Sequence, residues 1–183
     1  MHTDKLADVS LVFPEILLDI KYATDDNLTG QPIYKAPHCW VHPQLIEHLA
    51  ISLHVAKLAG FQLKIFDGYR PTMAQQRLWE ALPDPRYVAD ISLGSNHSRG
   101  IAIDLTLVDQ EGHELDMGTG FDDMSEHSHP LAPSHPVAIQ RNRLLLNAIM
   151  LAGGFQGLAT EWWHFELPNA LDYPVLPDQF DCY

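Results

Sequence analysis

One run of residues limits the folds open to this chain more than any other: Gly100-Ile101-Ala102-Ile103-Asp104-Leu105-Thr106-Leu107, an apolar stretch with a single carboxylate inside it. Ile101, Ile103, Leu105 and Leu107 alternate with Ala102, Asp104 and Thr106, the period-two pattern of a half-buried β-strand. A carboxylate within a strand is costly to desolvate, so Asp104 demands a cation, a hydrogen-bond network or a wet cleft. Small Ala102, on the same face, leaves room above it. Just upstream, Ser95-Asn96-His97-Ser98-Arg99 reads as a loop, and Gly100 permits the tight turn that brings the His97 imidazole back toward Asp104. A loop histidine set against a strand aspartate is half of a metal site.

Two ligands do not close a catalytic zinc site. Such a site takes three nitrogen or oxygen donors, leaves a fourth position for water, and is served by a nearby carboxylate base. The stretch Glu161-Trp162-Trp163-His164-Phe165-Glu166-Leu167 offers both missing parts, His164 as third ligand and Glu161 as base. Residues three apart point to opposite faces of a regular strand, so Glu161 is expected to precede the strand or to be offset by a bulge. The loop Glu126-His127-Ser128-His129-Pro130, with His135, is also dense in donors. No adjoining fixed strand gives it geometry, and these histidines are read as exposed loop side chains rather than a second metal site.

The rest of the chain supplies a frame for these residues. A short strand is expected near Ile16–Ile20, and apolar positions at helical spacing predict a helix from Pro43 to Ala59, stopped by Gly60. Phe61 to Phe66 reads as a strand ending in the Asp67-Gly68 turn, and Pro71 opens a helix running to about Leu82. Arg70 sits at that junction. Position alone leaves it open between a surface or ion-paired arginine and a site residue. Leu115 to Asp123 is a loop, Pro136 to Ala152 a second strong helix ended by Gly153-Gly154, and Phe155 begins a return to the sheet. Trp162, Trp163 and Phe165 are compatible with a strand, the tryptophans as core packing. Beyond Leu167 the prolines at 168, 174 and 177 predict an extended tail. This order of elements indicates an α+β fold, one domain over residues 1–183, with flanking helices on a mainly antiparallel central sheet that carries the metal site.

The formal net charge of −13 argues against nucleic-acid or anionic-membrane partners. No apolar run is long enough to span a membrane, and Met1-His2-Thr3-Asp4-Lys5 does not open a signal segment. The expected location is the cytoplasm, or the periplasm if a signal has been removed. Cys39 and Cys182 have no Cys-x-x-Cys spacing and are read as two free thiols.

The spacing Ser95-x-His97-x-x-Gly100-x-Ala102-x-Asp104, followed by Glu161-x-x-His164, resembles the zinc D-Ala-D-Ala metallopeptidases, which share a core with lysostaphin-type enzymes and the hedgehog signalling domain. Lys21-Tyr22-Ala23-Thr24, Asp26-Asn27, Thr29-Gly30, Asp67-Gly68-Tyr69-Arg70-Pro71, Met117-Gly118 and Phe121-Asp122 extend the likeness over most of the chain. They narrow it to the D-alanyl-D-alanine dipeptidase family, the VanX-type enzymes. The resemblance implies one zinc ion per chain on His97, Asp104 and His164, with Glu161 as general base and Arg70 as donor to the oxyanion. It also implies that Asp122 receives the substrate's ammonium group and that Ser95 contacts its backbone. The implied reaction is hydrolysis of the small dipeptide D-Ala-D-Ala to two D-alanines, a step of cell-wall metabolism. A D,D-carboxypeptidase or endopeptidase on the same core is one alternative, and a noncatalytic zinc-binding interaction domain another. Glu161 and Arg70 weigh against the last, since a structural zinc needs neither base nor oxyanion donor. The sequence sets neither the oligomeric state nor the dipeptide range.

Overall fold

In a computed structural model, which describes residues 6–178, the buried run around Asp104 becomes the middle strand of the main sheet. Along the chain, β1 (Ala7–Asp8), α1 (Val9–Val12), β2 (Leu17–Leu18) and β3 (Trp40–Val41) precede α2 (Pro43–Leu58) and β4 (Gln62–Asp67). Then come α3 (Thr72–Ala81), β5 (Ala102–Val108), α4 (Val137–Ala152), β6 (Gln156–Gly157) and β7 (His164–Glu166). The main sheet has five strands in the order β2-β4-β5-β7-β6. β5 runs antiparallel to both β4 and β7, and β6 antiparallel to β7, whereas the edge strand β2 pairs parallel to β4. The expected α+β architecture with a mainly antiparallel sheet is therefore present. β1 and β3 form a separate two-stranded antiparallel sheet that the sequence reading did not anticipate. Strands of two residues are too short to carry a period.

Helix α2 starts where Pro43 takes a first-turn position and the His42 ring accepts from the Gln44 amide. It buries Leu45, Leu49, Ser52 and Ala56, one stripe at four-three-four spacing. α4 buries Leu146, Ile149 and Met150, packs on α2, and receives a hydrogen bond from Ser52 Oγ at the Ile149 carbonyl. Both helices match the expected spans to within a residue. α3 begins at Thr72, directly after Pro71, as anticipated. Its exposed amide ends are capped from far away, since Asp178 accepts from the amides of Thr72 and Met73 at 2.6 and 3.3 Å.

Three expectations need correction. β5 was expected to be half-buried, but all seven of its residues are buried. Ile103, Leu105 and Leu107 join the core with Leu49, Leu63 and Ile149, and on the opposite face Asp104 lines a cavity with loop residues such as Ser95 and Asp122. Alternation reports which side chains are polar, not whether loops cover them. Trp162 and Trp163 lie just before β7 rather than within it, although the Trp163 carbonyl still accepts from Leu105 N at 3.0 Å. Both are buried, as core packing requires. The tail is not wholly extended: Ala170–Asp172 makes one 3-10 turn before the chain straightens. Cys39 is buried and free, and Cys182 lies outside the described residues.

Candidate active site

The loop-to-strand turn works as its residues require. Gly100 adopts φ +72°, and its amide donates to the His97 carbonyl at 2.9 Å. A side chain there would come within 3.1 Å of the His42 amide nitrogen, so glycine is needed for space as well as conformation. The turn sets His97 over β5, and the pairing of Asp104 with His164 across β5 and β7 brings the third side chain alongside. His97 Nε2, His164 Nδ1 and the Asp104 carboxylate form a triangle of side chains, with 3.2 Å between the nitrogens, 3.3 Å from His97 Nε2 to Asp104 Oδ2 and 3.1 Å from His164 Nδ1 to Asp104 Oδ1.

The donor chemistry of this triangle calls for a cation. His97 Nδ1 lies 2.8 Å from the Gly68 carbonyl, which only accepts, so Nδ1 carries the proton and Nε2 presents a lone pair. His164 has a carboxylate at each ring nitrogen, Glu166 at 2.9 Å from Nε2 and Asp104 at 3.1 Å from Nδ1, so a proton kept at Nε2 would leave Nδ1 able to bind a cation beside Asp104. Two imidazole nitrogens and a carboxylate converge at hydrogen-bond distance. Burial pushes the His164 pKa down, but hydrogen bonds to Asp104 and Glu166 outweigh it and raise the value to about 10, so the pocket attracts positive charge. A metal ion satisfies that demand without a proton. Two metal–ligand bonds of about 2.0 Å at the tetrahedral angle span roughly 3.3 Å, close to the 3.2 Å between the two ring nitrogens and the 3.3 Å from His97 Nε2 to Asp104 Oδ2. The side chains fit a tetrahedral metal with one position left over.

Arg70 is held against this group from every side. Its guanidinium donates to Asp67 through Nε at 3.0 Å, to Gln75 through Nη1 at 3.0 Å and to Asp104 through Nη2 at 3.4 Å. It also sits 4.8 Å over the Tyr22 ring. Such a clamp fixes the plane of the guanidinium. Glu161 precedes β7, the first of the two alternatives that the three-residue spacing left open, and lies buried with its carboxylate 4.0 Å from His164 Nδ1. Burial, only partly offset by attraction to His164, pushes its pKa up to about 8.

Asp122 lines the same cavity from the loop after β5. It adopts φ +58°, in the left-handed region that aspartate tolerates better than most residues. The preceding Phe121 packs on Tyr22, Phe66 and Trp163 at 5.4–5.6 Å between ring centroids, which anchors the loop. The Asp122 carboxylate accepts from Tyr22 OH at 3.1 Å and from Leu28 N at 2.9 Å. Burial raises its pKa to about 7 against the pull of that amide and of Arg70. Ser95 is buried at the cavity wall, where its Oγ accepts from the His97 amide.

All seven residues singled out by sequence therefore line one cavity of about 250 Å³: Arg70, Ser95, His97, Asp104, Asp122, Glu161 and His164. Sites for drug-sized ligands typically run to about 300–1,000 Å³, so this one suits a small molecule. Sequence reasoning gave no role to Tyr22, Asp67, Gln75, Asn96 or Glu166, which hold the others in place. Glu166 carried a readable signal, since it lies two residues beyond His164 in a strand and so on the same face. Gln75 and Asn96 carried none. In the histidine-rich loop His135 Nε2 donates to the His127 carbonyl and His127 Nδ1 meets Ser134, while His129 Nε2 is buried with no hydrogen-bond partner; only His127 is exposed as expected, and His129 and His135 are half-buried. Among the described residues the His97, Asp104 and His164 group alone offers three clustered donors.

Among similar proteins, the sequence pattern of peptidase family M15, described as D-Ala-D-Ala dipeptidase, matches residues 2–183. The D-alanyl-D-alanine dipeptidase of Escherichia coli K12 is 56% identical over 181 residues, covering 99% of this chain and 94% of that one. The D-alanyl-D-alanine dipeptidase of Enterococcus faecium is 37% identical, with 86% and 91% covered. That of Streptomyces coelicolor is 36% identical, with 94% and 99% covered. No helix among the described residues is long and apolar enough to cross a membrane. With its whole length matched by the family pattern and more than half its residues shared with one member, the chain is a peptidase belonging to the D-Ala-D-Ala dipeptidase family.

Proposed function

We propose that residues 1–183 form one zinc-dependent D,D-dipeptidase domain, with one zinc ion per chain, that hydrolyses D-Ala-D-Ala to two D-alanines in the cytoplasm. The observation that carries this reading is the placement of the His97, Asp104 and His164 triangle and the buried Asp122 carboxylate on one small cavity. Zinc is favoured by the donor set, two imidazole nitrogens and one carboxylate. When bound there it supplies a Lewis acid that polarises a carbonyl and acidifies water.

The protein's own groups account for the remaining steps. Glu161 takes a proton from the attacking water and returns it to the leaving amine. Its pKa, raised toward neutrality by burial, suits both directions of transfer. Arg70, immobilised by Asp67, Gln75 and Asp104, donates to the oxygen on which charge develops and needs no reorganisation to do so. Asp122 pairs with the free ammonium group of the substrate, and Ser95 contacts its backbone. A cavity of about 250 Å³ is on the scale of a small substrate such as a dipeptide.

The test is kcat/KM of the zinc-loaded protein for D-Ala-D-Ala, L-Ala-L-Ala, N-acetyl-D-Ala-D-Ala and a longer wall peptide. Free D-Ala-D-Ala is the expected substrate and the other three are expected to be poor. Equal cleavage of the acetylated form would replace this reading with a D,D-carboxypeptidase.

A further inference from the structure

We infer that Glu166 is a positioning residue of the metal site, which fixes the tautomer and ring angle of His164 and, through Asn96, ties that side chain to the segment carrying His97. The inference rests on the metal reading above and extends it to a residue that the seven-residue set does not contain.

Glu166 is set for this role by strand geometry. It stands two residues from His164 in β7, on the same face, and its backbone partner on β5 is Ala102. A larger residue at 102 would compete for the space above that face. Glu166 Oε2 lies 2.9 Å from His164 Nε2, on the side of the ring opposite the lone pair that joins the triangle. It therefore orients the ring and is not itself placed as a ligand. The same oxygen accepts from Asn96 Nδ2 at 2.8 Å. Asn96 is the residue immediately before the 3-10 turn His97–Arg99, so one carboxylate oxygen links the two ligand-bearing segments.

The two histidines are oriented by unlike acceptors. His97 donates to a neutral carbonyl, that of Gly68, whereas His164 donates to a carboxylate. A carboxylate on the far nitrogen selects the tautomer and makes the near nitrogen a stronger electron donor, and loss of such partners typically weakens metal binding about 10- to 100-fold. The neutral carbonyl at His97 gives orientation with less of this electronic push. His164 is accordingly the ligand whose strength depends on a replaceable side chain.

The experiment measures zinc affinity by competition with a chromophoric chelator for the wild type, Glu166→Ala, Glu166→Gln and Asn96→Ala, alongside thermal melting of each metal-free protein. Glu166→Ala should bind zinc about 10- to 100-fold more weakly. Glu166→Gln keeps an acceptor oxygen without the charge and should recover part of the loss. Asn96→Ala, which leaves the Glu166–His164 contact in place, should lose less than Glu166→Ala. In ¹⁵N spectra of the zinc-loaded wild type, the His164 proton should reside on Nε2. Wild-type zinc affinity in Glu166→Ala, or a proton on Nδ1, would overturn the proposal while leaving the metal reading intact. An affinity loss matched by an equal loss of folded metal-free protein would assign Glu166 to the fold and also overturn it. A wild type that takes up no zinc would instead sink the metal reading, and this inference with it.

Discussion

Asp104 and Asp122 line the same cavity and are both buried, yet their surroundings prepare them for different partners. Around Asp104 the fold gathers two imidazoles and a guanidinium within 3.1–3.4 Å. Burial pushes its pKa up, but His97 and His164 outweigh that and hold it well below the ordinary carboxylate range. The hydrogen bonds of Asp122 come from neutral donors, the Tyr22 hydroxyl and the Leu28 amide, and burial prevails. The metal end of the cavity is thus assembled and charged by the protein itself. The other end holds a carboxylate whose ionisation a cation from outside would stabilise, and an ammonium group is such a cation. A cavity with both ends finished by the protein would hold no preference for a free amino terminus.

Breaking the metal end should give the largest effect. Replacing His164 with Ala removes one of three donors and leaves Asp104 short of a buried partner, so zinc content and turnover should both fall to near background. Metal analysis of the purified variant checks this, and stoichiometric zinc would refute the ligand set. Glu161→Gln tests a group next to the triangle but outside it. Zinc should remain at about one per chain while kcat drops on the order of 10²–10⁴-fold. Arg70→Lys should be milder in kcat, a loss on the order of 10²–10³-fold, because an ammonium cannot reproduce the planar fork that meets Asp67, Gln75 and Asp104 together. A kcat unchanged in that variant would show that another donor meets the oxyanion.

How much of this was legible beforehand follows the same divide. The metal end could be read because its residues obey local rules: period two puts Asp104 in a strand, glycine permits the turn under His97, and a three-residue offset requires Glu161 to precede the strand or to be offset by a bulge. Helices α2, α3 and α4 were legible to within a residue because Pro43 and Pro71 mark starts and Gly60 and Gly153 mark stops, whereas the four-residue α1 was not anticipated. The Asp122 end obeys no such rule. Tyr22 and Leu28 reach it from a segment about a hundred residues upstream, and no spacing in the chain records that meeting. Only the family resemblance pointed to Asp122. The coverage of β5 on both faces was invisible for a similar reason, since it depends on loops distant in sequence.

The smallest effect, and the sharpest test of the contrast, is the pH response of Asp122. The charged or titratable groups around it are Tyr22, Arg70, Asp104 and, across the cavity, Glu161. Its folded-state pKa of about 7 lies above the unfolded value of about 3.9. Between those values the folded state binds more protons than the unfolded state, so stability from this group is full below about pH 4 and is lost as pH rises through about 7. Asp122→Asn, which cannot ionise, should therefore melt roughly 8–16 °C above the wild type at pH 8, for a gap of about three pH units at about 1.4 kcal/mol each and about 2–4 °C per kcal/mol, and at the same temperature near pH 4. Binding should move the other way. An ammonium group pairs with the ionised carboxylate, so wild-type kcat/KM for free D-Ala-D-Ala should fall about tenfold per pH unit below 7 while the variant stays low and lacks that limb. Melting curves and initial rates across pH 4–8 would decide the matter. A variant no more stable at pH 8, yet as active as the wild type on the free dipeptide, would show that the carboxylate at 122 is not what waits for the substrate.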